Sequence, residues 1–235
     1  MKNYLEIQDN ELNSLSYYSA TTKDKRTFFQ TYISFLKTRQ ILLFTFKCKN
    51  DYNSKIMKFC SFFFIFALFF FVNTLFLTEN SLHIIDISGG HLGIINSFSS
   101  IFPTIIITSF IKNILLEFMF TEDNVLSIKT ANKKEKNKII TNAITKITVK
   151  GSFFFAITFF ITSFIWIYIA CFFTVFRNTQ MLAIQNTLIG FGIFLAIPFG
   201  YYTIPTILRI FSLESRESKN RLGFYVFSKI LLILF

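Results

Sequence analysis

The chain has 235 residues, of which 52% are apolar and 16% charged, and its formal net charge is +11. Its mean hydropathy is +0.51, it carries fewer charges than the roughly 25% of an average soluble protein, and its apolar residues form blocks long enough to cross a bilayer. This composition excludes a disordered chain, a collagen-like chain and a disulfide-stapled secreted domain, and it indicates a membrane protein.

The first 56 residues are polar or only locally apolar, and they lack the apolar core of a cleavable signal peptide. Within this region, residues 27–47 predict an amphipathic helix, because Phe29, Ile33 and Leu36 share one helical face. Such a helix is expected to lie in the cytoplasmic interface of the membrane. Packing against the cytoplasmic ends of the transmembrane helices is the alternative that the pattern supports equally well.

Four apolar blocks predict an all-α fold, a polytopic bundle of four transmembrane helices within residues 57–212. The first block, residues 59–77, would cover about 28 Å as a helix, close to the thickness of the hydrocarbon layer. The other three blocks follow at residues 92–111, 152–176 and 187–208. Strands are not expected, because the strands of a membrane barrel are shorter and alternate in polarity.

The positions of Lys and Arg predict the orientation of the bundle. All of them except Arg177 precede the first block, fall within residues 112–150, or follow from Arg209 onward. Because Lys and Arg hold their loops on the cytoplasmic side, both termini and the basic loop 112–150 are expected to be cytoplasmic. The basic and apolar tail, residues 213–235, is then cytoplasmic as well.

The positive charge also indicates what the chain contacts. We expect a bilayer with anionic headgroups as its first partner. Nucleic acid is not expected, because no RNA-binding motif or DNA-reading helix accompanies the charge. Cys48 and Cys60 flank the point where the chain enters the membrane at the first block, and they are either palmitoylation sites or ordinary thiols.

A stripe of polar residues follows the second block at intervals of four residues, and a stripe of this kind does not face lipid. It either lines a pore or forms hydrogen bonds between helices, and the absence of an intramembrane carboxylate favours hydrogen bonding. The stripe consists of Asn96, Ser100, Thr104, Thr108 and Lys112.

The fourth block contains small residues at intervals of four, which predict close packing against another helix or a second copy of the chain. These residues are Gly192, Ala196 and Gly200. Pro198 and Pro205 are expected to kink or loosen the same helix. Phe194 is expected to face lipid or a looser layer.

The loop between the first two blocks contains a weak candidate metal site. His83, Asp86 and His91 could bind zinc, but their spacing matches no familiar motif, and neither a metal nor a cofactor is predicted. No nucleophile elbow, zinc-protease motif, P-loop or Rossmann pattern is present, so the chain is not expected to be an enzyme.

Four segments resemble a group of uncharacterised multi-pass membrane proteins of unicellular eukaryotes. They are NDYNSKIMK at residues 50–58 with FVNTLF at residues 71–76, NTQMLAIQNT at residues 178–187, and PTILRIFSL at residues 205–213. The resemblance implies a four-span module over residues 12–229, sometimes attached to a larger protein, and it supplies no activity. Proteins of this group often have an acidic residue at the position of Asn186. Any role of that carboxylate in the group is therefore not assigned to this chain, which has an amide there.

The sequence thus favours a membrane anchor or scaffold that packs against other membrane proteins or self-associates, in an endomembrane or the plasma membrane. The alternative is an oligomeric channel or transporter with a path lined by the second block.

Overall fold

A computed structural model describes residues 9, 12–40, 54–78, 83, 84, 87, 91–119, 136–213 and 220–234. For residues 39, 91–96, 116–119, 136, 220, 233 and 234 the description covers only the backbone. All described elements are helical, so the predicted all-α class is confirmed. They are α1 (Tyr17–Lys23), α2 (Phe28–Arg39), α3 (Lys55–Phe76), α4 (His91–Met119), α5 (Lys136–Val175), α6 (Gln180–Tyr201), α7 (Thr203–Leu213) and α8 (Asn220–Leu234).

Four stretches of the described helices are long and apolar enough to cross a membrane. They are Lys55–Phe76, Ser97–Leu115, Asn137–Val175 and Arg177–Leu213. Each contains most of one predicted block, so the count of four candidate spans is confirmed. The contacts divide the chain into two compact units, which we call the bundle unit (residues 52–193) and the terminal unit (residues 1–51 with 194–235).

In the bundle unit, α3 packs against α4, α5 and the first part of α6. Aromatic rings form much of this packing: the Phe71 and Tyr168 ring centroids of α3 and α5 lie 4.9 Å apart, and the Phe66 and Phe191 centroids of α3 and α6 lie 5.0 Å apart. Edge-to-face pairs of this kind add to the burial of the rings. At one end, Leu77, Phe172 and Ala183 form a buried cluster.

Helix α5 is longer than the third predicted span. It begins at Lys136, so the part of the predicted loop from residue 136 to residue 150 is helical and continuous with the span. Ala143 is buried on one face of this part, which matches the helical spacing of its apolar residues. Forty residues extend over about 60 Å, twice the hydrocarbon thickness, so only part of α5 fits within a bilayer.

The second and fourth predicted spans also differ from the helices. Helix α4 continues past residue 111 to Met119, which places Lys112 inside the helix. The fourth stretch is divided into α6 and α7 at Tyr202, three residues before Pro205. Pro205 has no N–H to donate to the Tyr201 carbonyl, which explains the break. Pro103 and Pro198 lie inside α4 and α6.

In the terminal unit, α2 packs against α7, and α7 packs against α8. Phe35, Leu36, Tyr202 and Leu232 form its buried apolar cluster. Helix α2 begins with a capping box, in which Thr27 Oγ1 accepts from the Gln30 backbone N–H and the Gln30 side chain accepts from the Thr27 backbone N–H.

The predicted apolar face of the amphipathic helix is divided in the structure. Leu36 is buried in the cluster, whereas Phe29 and Ile33 remain 72% and 45% exposed. One face of α2 therefore packs within the terminal unit, and another face stays apolar and exposed. Residues 41–47 of the predicted helix lie outside the described residues.

Candidate functional site

The polar stripe lies on the buried face of α4. Ser100, Thr104, Thr108 and Lys112 are each at most 2% exposed. The side chain of Asn96 lies outside the described residues. The stripe therefore faces the protein interior along the four positions that can be described.

Hydrogen bonds satisfy the hydroxyls of Ser100 and Thr104 in the stripe. Asn186 Nδ2 of α6 donates to Ser100 Oγ over 3.1 Å, and Ser100 Oγ donates to the Ser97 carbonyl over 3.0 Å. Thr104 Oγ1 donates to the Ser100 carbonyl over 2.7 Å. Because the Asn186 amide is the donor to Ser100, this position of the chain has an interhelical role that uses no carboxylate.

A second interhelical bond joins α3 to α6. Asn73 Nδ2 donates to Thr187 Oγ1 over 2.9 Å, and Thr187 Oγ1 donates to the Ala183 carbonyl over 2.8 Å. Asn73 and Thr187 are both fully buried. The adjacent residues Asn186 and Thr187 thus connect α6 to two different helices, and the sequence had not singled out Asn73 or Thr187.

Some buried polar atoms in the bundle unit make no hydrogen bond within the described part of the chain. They are Asn73 Oδ1, Thr108 Oγ1 and Ser109 Oγ. Thr108 lies one turn from Lys112 along the same helix. Two of these three atoms therefore lie on α4 near Lys112, and the third lies on α3.

The close approach of helices occurs at a glycine that the sequence did not single out. A Cβ at Gly190 would lie 2.9 Å from Ile101 Cγ1 and 3.2 Å from the Phe69 ring, whereas one at Gly192 or Gly200 would meet nothing within 4 Å. The prediction that Gly192 and Gly200 pack closely is therefore not met within this chain. Ala196 is exposed on the same face, which leaves a second molecule as the predicted use.

Phe194 is 2% exposed, so the first alternative for it, that it faces lipid, is wrong, and the second, a looser layer, stays a prediction. Phe194 follows the buried Phe191 by three residues, a spacing that places both rings on one face of α6.

The candidate metal site receives no support from the described residues. His83 is exposed, Asp86 and the side chain of His91 lie outside the described part, and no three His, Cys, Asp or Glu side chains within it could hold a metal. Of the two predicted palmitoylation sites, Cys60 is partly exposed and Cys48 lies outside the described residues.

The terminal unit contains a buried ion cluster that the sequence analysis missed. Arg209 of α7 is fully buried, and its Nε and Nη2 donate to Asp24 Oδ2 over 3.1 and 2.9 Å. Its Nη2 also donates to the Leu12 carbonyl over 2.6 Å. The guanidinium carbon lies 5.6 Å from the Phe35 ring centroid and 5.1 Å from that of Tyr225, so aromatic faces cover the cation.

Asp24 is shared with a second guanidinium. Arg26 Nε and Nη2 donate to Oδ1 and Oδ2 of Asp24, each over 2.8 Å, in a bidentate pair. Arg26 Nη1 also donates to Ser34 Oγ over 2.9 Å and pairs with Asp9 Oδ1 at 3.3 Å. Burial raises the pKa of Asp24, but its hydrogen bonds and charge attraction to Arg26 and Arg209 outweigh burial and hold that pKa below its ordinary value.

Helix α8 adds donors to the same N-terminal segment. Tyr225 OH donates to the Leu15 carbonyl over 2.8 Å, and Lys229 Nζ donates to the Ser14 and Leu15 carbonyls over 3.0 and 2.6 Å. The segment from Leu12 to Leu15 is thus bound through its backbone to side chains of α7 and α8.

One sequence signal could have revealed this cluster. Arg209 is the only charged residue between Arg177 and Glu214. An isolated cation in so apolar a stretch requires a counter-charge or a set of carbonyl acceptors. The distribution of charges could not identify Asp24 as the partner, because the two residues are separated by 185 positions.

No family model, curated protein or solved structure matches the chain. The resemblance to a group of uncharacterised multi-pass membrane proteins therefore stays a prediction.

Proposed function

We propose that the chain is an integral membrane protein that acts as an anchor or scaffold, packing against other membrane proteins or copies of itself. The observation that carries this proposal is the burial of the polar stripe: Ser100 is buried and bonded to Asn186 of α6, and Thr104 is buried and bonded to the Ser100 carbonyl of its own helix. Polar groups used in this way stabilise helix packing, which supports a packed interface over a path for solutes at those two residues.

The outer surface supports a role in packing. Helix α5 exposes a long apolar face that includes Phe159 at 78%, Ile167 at 63% and Val175 at 76%. On α6, the exposed small residues Gly192, Ala196 and Gly200 lie on one face. Lipid chains cover apolar faces of this kind, and neighbouring helices approach closely at small residues.

The contacts of the terminal unit support a topology with both termini on one side. Leu12, Leu15 and Asp24 near the start of the chain contact Arg209 and Tyr225 near its end. We place this side in the cytoplasm because of the basic residues that flank the candidate spans.

The bundle unit is compatible with the same orientation. Helices α3 and α5 run in the same direction, because Phe71 lies beside Tyr168 and Leu77 lies beside Phe172. Lys55 of α3 and Lys150 of α5 therefore lie toward one end. Consecutive spans alternate in direction across a membrane, so Lys112 of α4 belongs to that end too. The exposed Lys55 and the partly exposed Lys150 would face anionic headgroups, whereas the side chain of Lys112 is buried within the protein.

The second candidate function is an oligomeric channel or transporter with a path along α4. The unbonded hydroxyls of Thr108 and Ser109 favour it, because they lie near the buried Lys112, and water could satisfy them. A path would also have to pass Ser100 and Thr104, and several copies would have to enclose it. We therefore rank it second.

Cysteine accessibility tests the two functions against each other. In a variant whose native cysteines are replaced by serine, Ser100→Cys and Thr104→Cys should resist a small aqueous thiol reagent in liposomes, because both sites are packed. Lys23→Cys on the exposed end of α1 is the reactive control. The liposomes should show no more ion flux than protein-free liposomes. Rapid labelling at both sites, with a flux that Thr104→Val abolishes, would replace the scaffold with the channel.

A further inference from the structure

Helices α7 and α8 form an antiparallel hairpin. At one end the Phe211 and Phe224 ring centroids lie 5.8 Å apart, and at the other end Tyr201 OH, one residue before the break that precedes α7, donates to the Leu231 carbonyl over 2.8 Å. Helix α8 therefore runs back along the whole length of α7, and α7 is the last part of the fourth candidate span.

The hairpin has its polar side chains inside. Thr206, Arg209 and Ser212 of α7 and Ser228 of α8 are fully buried, and Tyr225 is 2% exposed. Pro205 and Leu232 are buried, but eight apolar side chains point outward, each between 41% and 56% exposed: Ile204, Ile207 and Phe211 on α7, and Leu222, Phe224, Val226, Phe227 and Ile230 on α8. A helical hairpin that faced water would have the reverse arrangement.

The buried polar groups are satisfied from within the unit, as a low-dielectric surrounding requires. Thr206 Oγ1 donates to the Tyr202 carbonyl and Ser212 Oγ donates to the Arg209 carbonyl, each over 2.6 Å. Arg209 is bonded to Asp24 and the Leu12 carbonyl, as described above. Of the buried polar side chains on the two helices, Ser228 alone has a hydroxyl without a partner among the described residues.

The charges within α7 and within residues 222–232 of α8 also point inward, whereas Arg221 at the start of α8 lies over the Phe211 ring. Between Leu222 and Leu232 the one charged residue is Lys229, and its ammonium is bound to the Ser14 and Leu15 carbonyls. On α7 the one charged residue is the buried Arg209. No charged group of the described hairpin between Thr203 and Leu213 or between Leu222 and Leu232 is therefore directed away from the protein.

We propose that α8 re-enters the bilayer beside α7, so that the outward apolar face of the hairpin contacts lipid acyl chains. This inference rests on the proposed membrane location of the chain, and it replaces a cytoplasmic tail with a membrane-inserted segment. The occupant is lipid because α7 belongs to a candidate span and its outward face continues directly onto α8. The N-terminal segment supplies the carbonyls and the carboxylate that allow Arg209 and Lys229 to lie at this depth.

Fluorescence quenching by brominated lipids tests the proposal. Trp166 is the one tryptophan of the chain, and it is 52% exposed on α5 within a candidate span, so the wild-type protein reports on the membrane location itself. Phe227→Trp and Ile230→Trp, each combined with Trp166→Phe, report on the outward face of α8. Tyr18→Trp in the same background reports on α1, where Tyr18 is 76% exposed.

The proteins are reconstituted into phosphatidylcholine vesicles with and without bromine in the acyl chains. We expect the Phe227→Trp and Ile230→Trp variants to lose as much fluorescence in brominated vesicles as the wild-type protein does. The Tyr18→Trp variant should lose fluorescence mainly to aqueous acrylamide. Two positions on α8 are used so that misfolding of one variant does not decide the result.

Three outcomes overturn the proposal in distinguishable ways. If Trp166 is quenched by brominated lipid and the two α8 variants are quenched by acrylamide instead, the hairpin lies in water and only the present inference fails. If the α8 variants are shielded from both quenchers, a second copy of the chain covers the face. If Trp166 itself is not quenched by brominated lipid, the membrane location fails together with the inference.

Discussion

Replacing Asp24 with Asn removes the carboxylate charge that lies between two guanidinium groups of the terminal unit. Arg209 Nη2 and Arg26 Nε lie 2.9 and 2.8 Å from its oxygens, and the side chains of Asp24 and Arg209 are 2% and 0% exposed. Asn has nearly the same shape, so the substitution tests the charge with little change in packing. The substitution leaves the fully buried guanidinium of Arg209 without its counter-charge.

The loss of stability in Asp24→Asn depends on the ion-pair and hydrogen-bond partners that remain for Arg26 and Arg209. Breaking a buried ion pair by removing one partner costs about 3 to 5 kcal/mol. The lower end applies, because Arg26 keeps Asp9 at 3.3 Å and Arg209 keeps the Leu12 carbonyl at 2.6 Å. About 3 kcal/mol corresponds to a rise of about a hundredfold in the population in which the N-terminal segment is released from α7 and α8.

Hydrogen exchange of the purified protein measures this population. The backbone amides of α1 and α2 should exchange about a hundredfold faster in Asp24→Asn, if opening precedes exchange and reclosing is fast. Lys23→Gln is the matched control, since it removes one charge from the exposed neighbouring residue and should leave exchange unchanged. Combining Asp24→Asn with Arg209→Met should cost less than the sum of the single changes, because the two side chains share one interaction.

An increase in exchange for Asp24→Asn that is no larger than that for Lys23→Gln would refute this reasoning. It would mean that the ion cluster does not hold the N-terminal segment against the hairpin.

Three further predictions concern packing, pH and topology. Gly190→Ala should lower the free energy of unfolding by about 1 to 3 kcal/mol in detergent denaturation, because its Cβ would lie 2.9 Å from Ile101 Cγ1. The control Gly192→Ala should be neutral or stabilising, because its Cβ would meet nothing within 4 Å. Equal effects of the two substitutions would contradict the observed helix contact. The Asp24 pKa is lowered by folding, so the contribution of Asp24 to stability is full above the ordinary pKa of 3.8 and is lost as pH falls through the folded-state pKa. Hydrogen exchange of the α2 amides should rise over that pH range in the wild type but not in Asp24→Asn. A parallel rise in both proteins would argue against a role of Asp24 in this pH dependence. In sealed vesicles, cysteines placed at Ser81 and Asn132 should react with an impermeant maleimide from opposite sides, and labelling of both from one side would reject the four-span topology.

The spans illustrate what could be read directly from the chain. Hydropathy and length are local properties, so the residues of each block were sufficient to predict a helix that crosses a membrane. The burial of Ser100 and Thr104 was also predictable, because polar side chains at intervals of four residues form one helical face and that face avoids lipid. Asn186, the partner of Ser100, was not predictable, because the relative rotation of α4 and α6 is decided by packing.

Helix ends and small residues show where local patterns were insufficient. The run of Lys residues before Gly151 suggested a solvated loop, yet α5 begins at Lys136, because charged residues are compatible with a helix when one face is apolar. The regular spacing of Gly192 and Gly200 suggested close contact, yet Gly190 makes it. Spacing identifies a face of a helix, whereas the neighbouring helix decides which face it contacts.

The sequence by itself determined the all-helical class, the four candidate spans and the asymmetry of basic residues, because each depends on composition within a short segment. Only the tertiary structure decided the partners of Arg209 and the inverted arrangement of the hairpin. Arg209 meets Asp24 across 185 positions, and α8 returns along α7 with Tyr225 and Lys229 turned inward. A buried charge is stable only beside its counter-charge and acceptors, and the fold alone brings residues so distant in sequence into contact.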